Sequence, residues 1–522
     1  MDTQHSSNAN SSLVATLESV DAEHNPFLYS VEKYVASHAS QKLSLLPENS
    51  QARPNGTSVF QLPKLGYLCD MVLRFGMLYE NTYVGGNNGN PSLVPNGRGL
   101  LSLIRRITWS NENREILSLT QDSMMALYSD LSLENRIAFS KAVKCNTDPL
   151  QNYKTSSAPP ASNATDGFVM CELPIMLALT SKPSLFQNLA FLAPCQVKIE
   201  WVANFNEHFA VVFGANDAAG GAAPVVGGLA VPAGDITIEQ STVLLSCDFI
   251  SLSQELASKS IEENYGSGSL STLVWDMMEF PKVYQELPTD YTADFPIVDV
   301  PLQTAKCISD LYVMAYIPRS ELRATAYSNA VDCRVATFAG LPLPIESISV
   351  TASGQNIVER VKASELRYWG RRTISGENGG YWATSGSTGG YRNRLSAAVS
   401  GATECPQAAT YDALNGGFIY KINLAALTSN KNYNSGMLSF RELASAMMHV
   451  ELAKPVTSGV QADAIMRHGI DYPLQRAVGA GGQPFLSAAG DPIKVTISVL
   501  ARTNSIINCD GQSGRCTGLL SN

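Results

Sequence analysis

Short apolar stretches dominate this chain, and most alternate with polar residues at a period of two. "QVKIEWV" (196–202), "IESISVTA" (345–352), "HVELA" (449–453) and "IKVTISVL" (493–500) are rich in Val and Ile and lie between turn-forming residues. That pattern predicts half-buried β-strands. "SNEN" and "ASGQ" read as tight turns, so hairpins are predicted over Ile104–Glu115 and Ile345–Val358. A short helix is predicted after each, near Gln121–Ser129 and Lys362–Trp369. A parallel α/β architecture would need many more helices.

The pattern also repeats. "LIRRITWSNENREI" aligns with "PIESISVTASGQNI" so that Ile104, Ile107 and Ile116 meet Ile345, Ile348 and Ile357, each pair 241 residues apart (345 − 104). Ser123 and Ser364 keep that spacing, and Asp70 and Asp310 lie 240 apart (310 − 70). Downstream, "FVMCELP" parallels "FIYKINL" at about 250, and Glu200 parallels Glu451 at 251 (451 − 200). Five matches in one order at nearly constant offset point to two copies of one fold, with loops of different length between them. Roughly eight strands per copy, joined by long connections, indicate an antiparallel sandwich or jelly roll. Long loops are expected at Tyr79–Arg98, Thr147–Asp166, Phe209–Asp235 and around Ser375–Asn415, and loops of this length are often interaction surfaces.

Composition narrows the class. At 522 residues the chain is too long for one core. Charged residues make up 16%, below the ~25% of an average domain, which fits a loop-rich β protein that buries much surface, as in an oligomer. The net charge is −9, and the first 50 residues hold Lys33 and Lys42 against six acidic residues. With no basic arm to neutralise phosphate, direct nucleic-acid binding is not expected. The ten cysteines are scattered, several inside apolar runs such as "LLSCDF" and "FVMCEL". They read as buried free thiols of a reducing compartment. "MDTQHSSNANSS" has no signal-peptide core, and no stretch reads as a transmembrane helix.

Candidate chemistry is sparse. None of the six histidines makes a zinc-type spacing, and His449 within "MMHVEL" reads as a structural histidine. No nucleophile elbow and no phosphate-binding Gly-Lys-Ser/Thr loop is present. Glu200 and Glu451 could be weighed as a glycosidase pair, but their equivalence follows from the repeat. Asp70 and Asp310 are expected to be structural, accepting backbone N–H groups at turns ahead of strands. Asn163 and Asn55 satisfy the glycosylation sequon. No catalytic residue, metal ligand or cofactor site is assigned. Cys509 and Cys516 bracket the closing "NCDGQSGRCTGLL", which reads as a zinc half-site, a disulfide loop or a plain tail.

Several segments resemble the double jelly-roll major capsid proteins of eukaryotic double-stranded DNA viruses, whether large nucleocytoplasmic, polinton-like or virophage-like. "SVFQLPKLGYLCDMVLRFGM" is similar to the family's early strand segment, and "LLSLIRRITWSNENREI" to its strand–turn–strand segment before a short helix. "CELPIMLALTSKPSLFQNLAFLAPCQVKIEW" and "YKINLAALTSNKNYNSGMLSFRELASAMMHVEL" resemble the corresponding stretches of its two domains. The closing "NSIINCDGQSGRCTGLLSN" resembles its Asn- and Gly-rich end. The likeness runs in order over about 43–522.

The resemblance implies an all-β chain of two tandem eight-stranded jelly rolls with long loops and a short helix in each. The expected layout is an N-terminal arm (1–40), a first jelly roll (41–255) and a second with the C-terminal tail (256–522). It further implies a structural protein, not an enzyme. Homotrimers with pseudo-hexagonal outline would tile an icosahedral shell, contacting neighbouring capsomers and minor capsid, cement and penton proteins. An internal membrane could lie beneath. The chain would be made and assembled inside the host cell and end in the virion. Outward loops are expected at Tyr79–Arg98, Thr147–Asp166, Ile317–Leu343 and Gly376–Asn415. The competing readings are a two-domain jelly-roll enzyme acting on glycans and a carbohydrate-binding protein using Tyr381, Trp382 and Tyr391. In the capsid setting the closing loop is a tail with free thiols, or one with a late disulfide between Cys509 and Cys516.

Overall fold

The computed structural model describes residues 38–49, 51–79, 92–95, 99–112, 114–129, 139, 142–143, 169–175, 189–190, 192–212, 229–230, 235–252, 269–288, 296–318, 340–343, 345–362, 419–424, 438–452, 491–511 and 513–520. The predicted loops Thr147–Asp166 and 375–415, most of the arm, and Asn163 lie outside them.

Eight strands build the first half: β1 (His38–Leu45), β2 (Thr57–Leu62), β3 (Tyr67–Tyr79), β4 (Ile104–Asn111), β5 (Arg114–Thr120), β6 (Val169–Pro174), β7 (Cys195–Trp201) and β8 (Ile236–Leu252). They form two four-stranded sheets, ordered β1-β8-β3-β6 and β2-β7-β4-β5. The second half repeats the scheme with β9 (Ser269–Glu279), β10 (Ile297–Pro301), β11 (Cys307–Pro318), β12 (Ile345–Ala352), β13 (Gln355–Lys362), β14 (Ile419–Asn423), β15 (Met447–Leu452) and β16 (Lys494–Asp510). Its sheets run β9-β16-β11-β14 and β10-β15-β12-β13. First, eighth, third and sixth strands share one sheet; second, seventh, fourth and fifth share the other. That order is a jelly roll, and the chain contains it twice.

Pairing register confirms the repeat residue by residue. Ile104 faces Trp201, and Ile345 faces Leu452. Ile107 faces Ile199, and Ile348 faces Val450. The offsets of 241 and 251 are those of the sequence alignment. Both predicted hairpins form, as β4–β5 and β12–β13. In the second, Ser353 and Gly354 both take positive φ (51° and 74°), as a primed two-residue turn requires. A helix, α1, spans Gln121–Ser129 as predicted. Lys362, expected to start the second helix, ends strand β13, and 363–369 lie outside the described residues.

Alternation places the core. In β7, Cys195, Val197, Ile199 and Trp201 are buried while Gln196, Lys198 and Glu200 face outward; β2 and β15 alternate likewise. Trp201 is the centre of the first sandwich. Its ring meets Phe75 edge-on at 5.3 Å and Phe205 at 6.3 Å, and its Nε1 donates to Ser58 Oγ at 2.9 Å. In the second, buried Tyr420 accepts the Ile345 N–H on its hydroxyl at 2.9 Å, and burial pushes its phenol well above the ordinary tyrosine range.

The structure adds regular pairing where long loops were expected. Ser92–Pro95, Phe209–Val212 and Leu229–Ala230 form a three-stranded ribbon, and Gly340–Leu343 pairs with the end of β11. Asp70 and Asp310 sit inside β3 and β11 rather than at turns before them, because each strand begins three residues before its aspartate. The predicted tail forms a further strand, β17 (Cys516–Leu520), paired with Ser505–Cys509 of β16.

Replacing Trp201 by Ala removes one of the two fully buried tryptophans and strands the Ser58 hydroxyl. We expect a loss of ~3–5 kcal/mol in denaturant unfolding. A loss under ~1 kcal/mol would show that Trp201 does not centre the first core.

Candidate functional site at the seam between the jelly rolls

Strand β16 looks half-polar in sequence, yet it is buried from Val495 to Ala501 on both faces. One face carries Val495, Ile497, Val499 and Ala501. The other carries Thr496, Ser498 and Leu500, and Ser498 meets helix α1 of the first half through Asp122.

Helix α1 forms where β5 ends. Thr120 Oγ1 accepts the Ser123 N–H at 3.2 Å, an N-cap, and Asp122 in the first turn suits the helix dipole. Gln121 Nε2 donates to the carbonyls of Ser102 and Ile104, both at 2.7 Å, fastening the helix to the first core. Met124, Met125, Ala126 and Leu127 are buried. Asp122 is thereby presented to the second half. Its Oδ2 accepts from Lys282 Nζ at 2.7 Å and from Ser498 Oγ at 3.2 Å, with the carboxylate side chain only 4% exposed. Glu279 crosses the same seam to Thr120 Oγ1 and to Ser123 Oγ. Burial disfavours the charge of Lys282, but the adjacent Asp122 and Tyr316 outweigh it, so its pKa lies above that of an ordinary lysine. Beside these contacts opens a polar cleft of about 640 Å³, lined from one side by Arg105, Arg106, Glu200 and His208 and from the other by Glu279 and Lys282.

A second set of contacts lies at the end of β4. Asn111 Oδ1 accepts the Cys516 N–H at 3.0 Å, and its Nδ2 donates to the Ala193 carbonyl at 3.0 Å and toward Cys195 Sγ at 3.4 Å. Ala193 N–H donates to the Gly514 carbonyl at 2.8 Å, and Arg515 pairs with Glu112 at 2.5 Å. Gly514 adopts φ of 66°, which frees the turn between β16 and β17 to face the first half. Buried Asn111 thus spends its amide on joining three segments.

The residues singled out from sequence do not converge. Glu200 faces Arg106 and Thr57 in the first half, and Glu451 is bound by Arg360 and by Ser347 Oγ in the second. They belong to separate sheets, each at its own repeat position. His449 is held at both ring nitrogens, by Asp299 at 2.5 Å and Thr351 at 3.0 Å. Asp310 pairs with Lys421 at 3.5 Å. Asp70 faces Asp248 across β3–β8; its pKa is raised by burial, and Asp248 adds to the rise against a hydrogen bond from the Met71 N–H. Asn55 is exposed in a turn with φ of 57°. Among the described residues, no cluster of three or more His, Cys, Asp or Glu could hold a metal ion, and no helix is long and apolar enough to cross a membrane. Sequence reasoning missed Asn111, Asp122 and Lys282. The available signal was a single lysine in the apolar "MMEFPKVY".

Solved structures match this geometry along most of the chain. PBCV-1 VP54, fitted into a cryo-EM reconstruction of the virophage Sputnik, is similar with a TM-score of 0.57 at 11% identity, covering 93% of this chain and 98% of that one. A chain of the quasi-atomic PBCV-1 virus capsid gives 0.55 at 11%, with the same coverage. The fold is the double jelly roll of viral major capsid proteins. The mavirus major capsid protein is also similar, with a TM-score of 0.49 at 12% identity, covering 92% of this chain and 90% of that one. No family model matches the sequence, and no curated protein matches it at the sequence level. In this double jelly roll the chemistry of the seam is that of a joint: ion pairs and amide hydrogen bonds that fix one roll against the other.

Lys282→Met leaves Asp122 buried without its cation. Because Lys282 is 35% exposed, we expect a loss of about 1–3 kcal/mol, below the ~3–5 of a fully buried pair. Adding Asp122→Asn should recover over half of it. With its folded pKa raised, the Lys282 contribution is in full below the unfolded lysine value of ~10.4 and fades as pH climbs through the higher folded value. Additive single and double variants in urea melts would show that the two residues do not act as a pair.

Proposed function

We propose that this chain is the major capsid protein of a double-stranded DNA virus. The observation that supports it most is the presence of two complete jelly rolls in one chain, matched over 93% of its length by PBCV-1 VP54. Two similar rolls let three chains offer six near-equivalent blocks about one threefold axis. The expected capsomer is therefore a pseudo-hexagonal homotrimer, which tiles an icosahedral shell. The rigid seam suits that task, since a tile must hold its two blocks at one angle. The proposed layout is an arm over 1–40, a first roll over 41–255 and a second over 256–522.

In this reading the connections at Tyr79–Arg98, Thr147–Asp166, Ile317–Leu343 and Gly376–Asn415 rise on the outer surface; Asn163 in the second of them, and Asn55 in the turn before β2, are candidate glycan acceptors. Its partners are neighbouring capsomers and minor capsid, cement and penton proteins, and it resides in the virion after assembly in the host cell. The formal charge of −9 leaves genome packing to other components.

Mass measurement with negative-stain microscopy tests the proposal. We expect a species of three times 56.1 kDa with a pseudo-hexagonal outline. A monomer that persists from low to high salt at micromolar concentration would contradict it.

A further inference from the structure

Cys509 and Cys516 are directly opposed across the β16–β17 hairpin, with their sulfurs 2.8 Å apart. Both are buried, at 0% and 2% exposure. The Asp510 N–H donates to the Arg515 carbonyl, while the Cys516 N–H turns aside to Asn111. The two cysteines therefore occupy a non-hydrogen-bonded cross-strand position. There the Cα atoms of an antiparallel pair stand ~4.5 Å apart, within the ~4.4–6.8 Å span of disulfides. Small rotations of the side chains bring the sulfurs to bonding distance.

We infer that Cys509 and Cys516 are an oxidation site, closing a disulfide that fastens the joint between the two jelly rolls. The hairpin they span carries that joint, because Gly514, Arg515 and the Cys516 N–H are its contacts with Ala193, Glu112 and Asn111. A disulfide holds these three residues in one register even when the rest of β17 frays.

Partner choice follows from geometry. Cys195 is part of the same buried cluster, but its Cα faces Leu62 and Asn111, and its Sγ donates to the Ala193 carbonyl at 3.2 Å. Burial pushes its thiol up to about 11, partly offset by the Asn111 hydrogen bond. Timing follows from burial. The hydrogen bond to Cys509, then burial, raise the Cys516 pKa far above the usual thiol range, so little Cys516 thiolate exists once the hairpin is docked. The bond forms before docking or during a transient opening. The oxidant is a small-molecule or protein disulfide acting by two exchange steps: one cysteine thiolate displaces a thiolate from the oxidant, and the second cysteine displaces the other. Two protein thiols lose two electrons, the oxidant's disulfide gains them, and two thiols leave with the two protons. The bond would close whether or not the chain builds a capsid.

Trypsin cuts after Arg502 and Arg515, so the disulfide would join peptides 503–515 and 516–522. The full chain is refolded with oxidised glutathione, alkylated under denaturing conditions, digested and weighed. We expect these two peptides linked, Cys195 alkylated, and a thermal midpoint that falls on adding dithiothreitol. That fall should vanish in Cys516→Ser. Full alkylation of Cys509 and Cys516, linkage of either to Cys195, or equal midpoints with and without dithiothreitol would overturn the inference. The peptide assay on the unaltered chain decides even if the variant misfolds.

Discussion

Backbone pairing along two 17-residue strands, β8 and β16, sets everything else in place. Each is bonded on both edges: β8 by β1 and β3, β16 by β9 and β11 and then by β17. A slip of one residue would turn Val243, Leu245, Cys247 and Phe249 from the core to the surface. The cost of that exposure fixes the register, and the register fixes which loops emerge at which end. The ladder between β8 and β3 shifts register twice, between Asp248 and Phe249 and between Glu239 and Leu244, where Thr242 Oγ1 takes the Gly76 N–H at 2.7 Å.

Strand β16 has the further task of joining the halves. Its outer face would be solvated in a lone sandwich, and Thr496 and Ser498 keep it polar enough for that. In this chain the face is covered by the first roll, and Ser498 with Lys282 satisfies the buried Asp122. Some 10 residues further on, the same strand places Cys509 and its hairpin against Asn111. One continuous strand thus carries two separate attachments. A block held at two points resists rotation in a way that one contact cannot.

Much of this was legible in the sequence because strands and hairpins write local signals. The alternation of "CQVKIEW" and the Ser353–Gly354 turn specify their elements without help from distant residues. The repeat was legible for the same reason: equal elements need equal patterns. The seam was not. Lys282 and Asp122 are 160 residues apart, and Asn111 and Cys516 are 405 apart. Ion pairs and amide bonds at such separations leave no periodicity to read. Strand β17 was missed because "CTGLL" is short and follows a glycine-rich turn. The loop ribbon was missed because Pro and Gly punctuate its strands and lower their propensity. Both are stabilised by pairing with a neighbour already in place, a tertiary effect.

Strand β16 and its hairpin bind two copies of one fold into a single body. Native-state hydrogen exchange tests it most directly. We expect the slowest amides in β8 and β16, with 505–510 and β17 exchanging as slowly as the seam strands rather than as a frayed end. Rapid exchange across 505–520 while the rest of β16 stays protected would contradict it.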